Sequence, residues 1–395
     1  MTRSNNPDRV AGHLPTASLS TLRLRARLLA TMRQFFDEAG YFEVETPILS
    51  SDIVVDAWLE PFVADWLPLA NNWSQGGSPL YLQTSPEFAM KRLLAAGATA
   101  IYQLGKVFRN GEVGQSHNPE FTMLEWYRVG VDHHTLMRQT ESLVRRVFDV
   151  ASELMEHSGE PSSGATGEGL RSRVFDETKG GPRLPPVAHR DEVLTRQRDL
   201  ARRVAHSAGF ERLCYDDAFE RHAGQRVLGR HVTTLHDVAA NHNLIPPPGL
   251  DENDCNGWLN WLLAELVEPH LGRERPTFLF NYPASQAALA CVSQSQPGAP
   301  FIAERFELYI DGVEMCNGYH ELTDPAALRD RIREQLSVRA SAGLRPLPAE
   351  SRLLTAMDAG LPASSGNALG VDRLVMLALG QRCLADVIAF PIDRA

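Results

Sequence analysis

The chain has 395 residues, is 43% hydrophobic and carries a formal net charge of −10. That length supports one large core or two smaller ones, and the acidic balance argues against non-specific binding to phosphate backbones. Cys214, Cys255, Cys291, Cys316 and Cys383 form no CxxC pair, which argues against a cysteine-ligated zinc site and suits a reducing compartment. The start lacks an apolar signal core and no run approaches the ~18 apolar residues of a membrane span, so a cytoplasmic protein without membrane contact is expected.

Residues 1–18 read as a disordered tail. A helix capped by Ser18 or Ser20 runs on to Gly40, with Leu22, Leu29, Met32 and Phe36 on one face. Tyr41–Thr46 reads as a strand stopped by Pro47. Residues 86–96 read as a helix with Pro86 in its first turn. Residues 101–109 and 121–128 read as two strands, and 135–150 as a helix. The Gly/Pro/Ser-rich stretch 151–190 breaks the pattern and reads as a flexible insertion. Residues 191–250 read as a mainly helical insertion and 255–267 as an apolar helix. FELYIDGVEM (306–315) reads as a hairpin on an Asp311-Gly312 turn. Asp324-Pro325 opens a helix to about Ala340, and 364–380 reads as a glycine-punctuated turn into a final helix.

Three clusters carry chemistry. In FRNGEVGQSHNPEFTMLEWY (108–127), strand alternation puts Val107 with Arg109, and Phe121, Met123, Glu125 and Tyr127 together. A face that mixes Arg, Glu and Tyr with apolar groups is either a ligand site or a buried ion pair joining two strands. In ERFELYIDGVEMCNGYHEL (304–322), a two-residue turn sets Glu314 opposite Tyr309 and Glu307 opposite Cys316. Glu307 and Glu314 then share a face, as a Mg²⁺-binding pair or as a solvated acidic surface. Strict alternation separates Glu314 from Asn317, Tyr319 and Glu321, so a common site requires a bulge, with Gly318 the candidate. In GNALGVDRL (366–374), Arg373 enters the first turn of a helix, where a bound polyanion or a neighbouring acid would offset its charge. Two arginines and a metal pair suit a nucleoside triphosphate, with Phe121 stacking on the base. Glu87, Glu125 and Glu321 are left for a cationic second substrate.

These stretches resemble the three motifs of class II aminoacyl-tRNA synthetases, in order: GYFEVETPIL (40–49), FRNGE…HNPEFTMLEWY, and ALGVDRLVML. HNPEFTMLE and NGYHELTD resemble the lysine branch, over roughly residues 19–150 and 255–395. Lysyl-tRNA synthetases carry an anticodon-binding barrel ahead of the first motif. Only 39 residues precede Gly40 here, and with the ending ADVIAFPIDRA the chain resembles the elongation factor P lysine ligases. The resemblance implies an α+β class II catalytic fold over 19–395, an antiparallel sheet flanked by helices, and a homodimer through the first motif. It implies ATP and Mg²⁺, (R)-β-lysine or lysine as substrate, elongation factor P as acceptor, and no tRNA.

By the same resemblance Arg109, Asn110, Glu112, His117, Asn118, Phe121, Glu314, Met315, Gly370 and Arg373 hold ATP. Arg109, Glu314 and Arg373 are catalytic, and Glu307 and Glu314 hold the metal. Ser85, Pro86, Glu87, Glu125, Tyr127, Asn317, Tyr319, Glu321 and Ala368 surround the amino acid. The second motif usually reads Arg-x-Glu; here Gly111 holds the Glu position and Glu112 follows. The rival readings are a truncated lysyl-tRNA synthetase, a non-catalytic regulatory subunit and an amide-forming enzyme of the asparagine synthetase type.

Overall fold

The computed structural model describes residues 13–66, 78–157, 187–205 and 208–395. Helix α1 (Leu19–Glu38) starts where the Ser18 hydroxyl accepts from the Thr21 N–H at 3.1 Å. Its buried residues are Leu28, Met32 and Phe36, a stripe at i, i+4 and i+8, with Leu28 in place of the expected Leu22. The strands are β1 (Phe42–Glu43), β2 (Leu49–Ser50), β3 (Val63–Trp66), β4 (Ser78–Leu82), β5 (Ala100–Phe108), β6 (Glu120–Val129), β7 (Glu211–Cys214), β8 (Thr277–Pro283), β9 (Val292–Gln294), β10 (Phe301–Ile310), β11 (Val313–His320) and β12 (Ser364–Gly370). Among the described residues one large sheet runs β1-β5-β6-β12-β11-β10-β8-β7, with β9 on β10, and a small sheet runs β2-β4-β3. The large sheet is antiparallel apart from the β1–β5 and β7–β8 pairs, which matches an α+β class.

The remaining helices are α2 (Glu87–Ala95), α3 (His133–His157), α4 (Val187–Val204), α5 (Tyr215–Ala223), α6 (Val232–Asn241), α7 (Cys255–Leu262), α8 (Pro325–Ser341), α9 (Arg352–Ala359) and α10 (Val371–Ala378). Leu124, Trp126, Phe306, Leu308, Cys316 and Leu369 point to one face of the sheet and join α1, α3 and α10 in the main core. The intervening residues point to the other face. There a second core gathers around Phe219, Leu235 and Trp258, and a third around Phe88, Tyr127 and Leu353. The candidate site lies on this second face.

Several expectations change. Residues 13–18 are not a loose tail: Ala17 is buried, and the Thr16 N–H donates to the Ala389 carbonyl at 2.9 Å. The strand expected at Tyr41–Thr46 shrinks to Phe42–Glu43, because Tyr41 turns into the core beside Phe36. Helix α3 continues to His157 and α4 begins at Val187, so the ends of the supposed flexible insertion are helical, and its middle lies outside the described residues. The apolar helix at 255 gives way at Leu263–Val267 to a single π turn. Residues 364–370 form a strand inside the sheet, between β6 and β11, where a turn was expected. Glycine there reflects close packing: a Cβ on Gly366 would lie 2.3 Å from Tyr127 Cε1.

Candidate active site

The floor of the site is a row of residues across five strands. Gln103, Glu125, Ala368, Asn317 and Glu307 pair in sequence from β5 to β10, so all project to the same face. The next row holds Tyr127, Gly366, Tyr319 and Arg305. The expected bulge exists but not at Gly318. Tyr309 pairs with Glu314 and Leu308 with Cys316, which makes Met315 the extra residue. Glu307 therefore faces Asn317, not Cys316, and Glu314 joins Asn317 and Tyr319 on the site face. Gly318 keeps its glycine for packing, since a Cβ would meet Phe306 Cζ at 2.3 Å. The Met315 side chain is buried in the main core, so only its backbone can serve a ligand.

The long loop between β5 and β6 folds back on the sheet. Arg109 lies over the Phe121 ring at 5.2 Å, and Glu112 Oε1 is 3.8 Å from its Nη1. Gly111 turns the chain with φ +85°, a conformation that glycine adopts freely, and this brings Glu112 back toward Arg109. The Gly-Glu order thus delivers a carboxylate to the same arginine. Asn110 is exposed and its backbone bridges to Glu60. Asn118 is buried and pins the loop: its amide donates to the Glu120 carbonyl at 2.6 Å and accepts from the Ile392 N–H at 2.9 Å. Those two bonds fix the position of the loop.

Gly370 caps α10, and Arg373 follows in the first turn. Arg373 donates to the Ser116 carbonyl at 3.2 Å and to the Glu314 carbonyl at 2.9 Å. Its Nη2 lies 2.6 Å from His117 Nε2; a guanidinium only donates, so His117 accepts there as the neutral ring. Burial and the Arg373 charge both hold the His117 pKa below its usual value. The neighbouring Asp372 is buried, takes Arg25 at 2.5 Å, and accepts from the Thr122 N–H at 2.9 Å. It thereby ties α1, β6 and α10 together.

Glu307 and Glu314, the expected metal pair, stand in different surroundings. Glu307 Oε1 accepts from Arg305 at 2.5 Å, while Oε2 accepts from Tyr282 at 2.6 Å and from Tyr309 at 2.7 Å. Both oxygens are engaged, and the buried Glu307 is neutralised by Arg305, which also lies over the Tyr282 ring at 4.4 Å. Glu314 differs: its side chain is 42% exposed and its carboxylate lies 3.7 Å from Arg373. Protein around it and the Glu307 charge raise its pKa to about 7, against the pull of Arg373, Arg109 and Arg305. Among the described residues no set of three or more His, Cys, Asp or Glu is arranged to hold a metal. Glu314 alone fits a Mg²⁺ ion that brings phosphate oxygens as its other ligands.

The third part is an acidic pocket. Pro86 caps α2, which sets Glu87 in its first turn. Glu125 is buried and accepts from Tyr127 at 2.5 Å and from Ser85 at 2.9 Å. Burial and the nearby Glu87 raise its pKa to about 7, although Tyr127, Ser85 and Lys91 oppose the shift. Glu321 is buried, and burial lifts its pKa to about 8; Lys91 opposes the rise, while Glu87 and Glu125 add to it. Glu321 Oε2 lies 2.5 Å from Lys91 Nζ, and Oε1 is buried without a hydrogen-bond partner. Lys91 and Arg305 escaped the sequence reading. The i, i+4 spacing from Glu87 and the i, i+2 spacing to Glu307 were the available signals.

A family model described as tRNA synthetases class II (D, K and N) matches residues 9–394. The elongation factor P–(R)-beta-lysine ligase of Enterobacter sp. (strain 638) is 40% identical over 381 residues, 96% of this chain and 98% of that protein. The protein of the same name from Edwardsiella ictaluri (strain 93-146) is 40% identical over 386 residues, 98% of this chain and 99% of that one. That from Salmonella paratyphi B is 40% identical over 381 residues, with 96% and 98% covered. With the family model spanning residues 9–394 and these relatives covering 96–98% of its length, the chain belongs to the class II tRNA synthetase family (D, K and N).

Proposed function

We propose that this chain is an ATP-dependent ligase. It activates (R)-β-lysine, or lysine, as an aminoacyl-adenylate and transfers it to a lysine side chain of elongation factor P. The observation that carries this reading is the adjacency of two unlike halves. Arg109, Arg373 and Glu314 face a polyanion; Glu125 and Glu321 face a cation, and Glu87 pairs with Lys91 beside them. Ala368 lies in the sheet between Glu125 and Asn317, so its methyl shapes the floor between the halves. The relatives' name supports the choice of amino acid and acceptor.

In the first step the amino-acid carboxylate forms a bond to the α-phosphorus of ATP, and the bond to the β-phosphate oxygen breaks, releasing pyrophosphate. Arg109 stabilises the charge that develops on the α-phosphate, and Phe121 supports the base. Glu314 and Arg373 position the nucleotide, and Mg²⁺ held at Glu314 would neutralise phosphate charge. Glu125 and Glu321, with Tyr127, Asn317 and Tyr319 around them, hold the ammonium groups and fix the carboxylate for in-line attack. In the second step the acceptor amine forms the amide and AMP leaves. No covalent enzyme intermediate is required.

Two further readings belong with this one. Phe42, Ile48 and Leu49 expose 55, 47 and 40% of their surface around the first motif, an apolar patch that suits a homodimer. The reaction belongs in the cytoplasm, in keeping with five free cysteines and with no described helix long and apolar enough to cross a membrane.

The test is the intact mass of elongation factor P after incubation with this protein, ATP, Mg²⁺ and (R)-β-lysine. One lysyl increment, lost with Arg109→Ala, is expected. No increment while lysine-dependent pyrophosphate exchange still runs would move the acceptor to tRNA or another amine. Absence of exchange would favour the non-catalytic alternative.

A further inference from the structure

The acidic pocket contains a cation of its own. Lys91 stands one turn beyond Glu87 on α2, so the two side chains share a helix face. Its ammonium pairs with Glu87 Oε1 and lies 2.5 Å from Glu321 Oε2. The Lys91 side chain is 2% exposed and that of Glu321 1%, so water screens neither charge. Glu125, the third carboxylate, is hydrogen-bonded by Tyr127 and Ser85 instead. Arg305 and Glu307, on the neighbouring strand β10, pair with each other at 2.5 Å.

Three carboxylates against one ammonium leave the pocket with a formal charge of −2. We propose that Lys91 is the positioning residue that sets this charge. It lies between Glu87 and Glu321, offsets one of the three negative charges, and leaves a net charge that matches a substrate with two ammonium groups. This rests on the amino-acid pocket assigned above. Glu321 fits the role: Lys91 holds its Oε2, while Oε1 is buried without a hydrogen-bond partner and retains acceptor capacity. Without Lys91 three buried carboxylates would crowd together, which favours protonation over ionisation. A pocket that has taken up protons binds ammonium groups poorly. Lys91 does not touch the nucleotide half, so its effect falls on amino-acid binding.

The test measures lysine-dependent ATP–pyrophosphate exchange for the wild type, for Lys91→Met, and for the double variant Lys91→Met, Glu87→Gln. The single change removes the positive charge. The double change removes one charge of each sign and restores the formal −2. The expected result is a KM for lysine raised about 100-fold in the single variant, with KM for ATP within twofold of wild type. The double variant should return KM for lysine to within about tenfold of wild type. Both variants leave Glu321 without Lys91, so a thermal melt is read beside each: the double variant, which removes both members of the Lys91–Glu87 pair, should lose less stability than the single one.

A single variant with wild-type KM for lysine would overturn the proposal. So would a folded double variant whose KM stays 100-fold high, because Lys91 would then be needed for its contacts rather than its charge. A wild type that exchanges with neither lysine nor (R)-β-lysine would overturn the substrate reading itself, and that result is visible before any variant is made.

Discussion

Gly318 and Gly366 lie on adjacent strands, one register position apart, and point to opposite faces of the sheet. Replacing each with alanine separates stability from recognition. In Gly366→Ala the new methyl would sit 2.3 Å from Tyr127 Cε1 and 2.5 Å from Glu321 Oε1. Those contacts are about 1 Å inside the ~3.5 Å van der Waals separation. In Gly318→Ala the methyl meets Phe306 Cζ at 2.3 Å, on the core side. Overpacking of this kind costs roughly 1–3 kcal/mol in either case. A melting temperature lower by roughly 1–4 °C is expected for both.

Only Gly366→Ala displaces the Glu321 carboxylate. A hydrogen bond to a charged group contributes about 1.5–3 kcal/mol, and about 1.4 kcal/mol is tenfold in affinity. KM for lysine should therefore rise about 10- to 150-fold in Gly366→Ala and stay near wild type in Gly318→Ala. Steady-state pyrophosphate exchange, read beside a thermal melt, measures both. Equal KM values for the two variants, with equal losses of stability, would refute the placement of Glu321 in the amino-acid pocket.

Arg109→Ala should lower exchange about 10²–10³-fold, the usual loss when one preorganised charge-stabilising donor is removed, with little change in the melt. Arg25→Met leaves Asp372 buried and without its cation; denaturant unfolding should show a loss of roughly 3–5 kcal/mol, whereas Asp372→Asn with Arg25→Met should recover part of it. His133 is buried, neither ring nitrogen has a hydrogen-bond partner, and burial with the His134 charge lowers its pKa to about 4. The unfolded chain takes up that proton near pH 6.5 while the folded one resists. This contribution is thus present above about pH 6.5 and lost as pH falls toward 4, by about 2 kcal/mol at pH 5. Denaturant midpoints from pH 7.5 to 5 should fall less steeply in His133→Gln.

Local chemistry was legible in the sequence wherever neighbours along the chain decide it. The Ser18 and Asp324 caps, the Asp311-Gly312 turn and the paired strands around 101–128 follow from capping, turn and alternation rules. The nearness of Arg109, Glu314 and Arg373 followed as well, because quoted motifs carried it. What the tertiary structure alone decided is which partner each side chain meets. Glu307 was expected only as a metal ligand; its bonds to Tyr282, from another strand, and to Arg305 are decided in space. The bulge was needed by the pattern, but its place at Met315 depends on how β10 pairs with β11. Residues 364–370 looked like a turn because glycine weakens strand propensity; packing against Tyr127 and Glu321 overrides that preference. Lys91 joined the pocket only when α2 was set against the end of β11, a juxtaposition 230 residues apart in sequence. Propensity acts over a few residues, whereas charge pairing and packing act across space, so the second could not be read from the first.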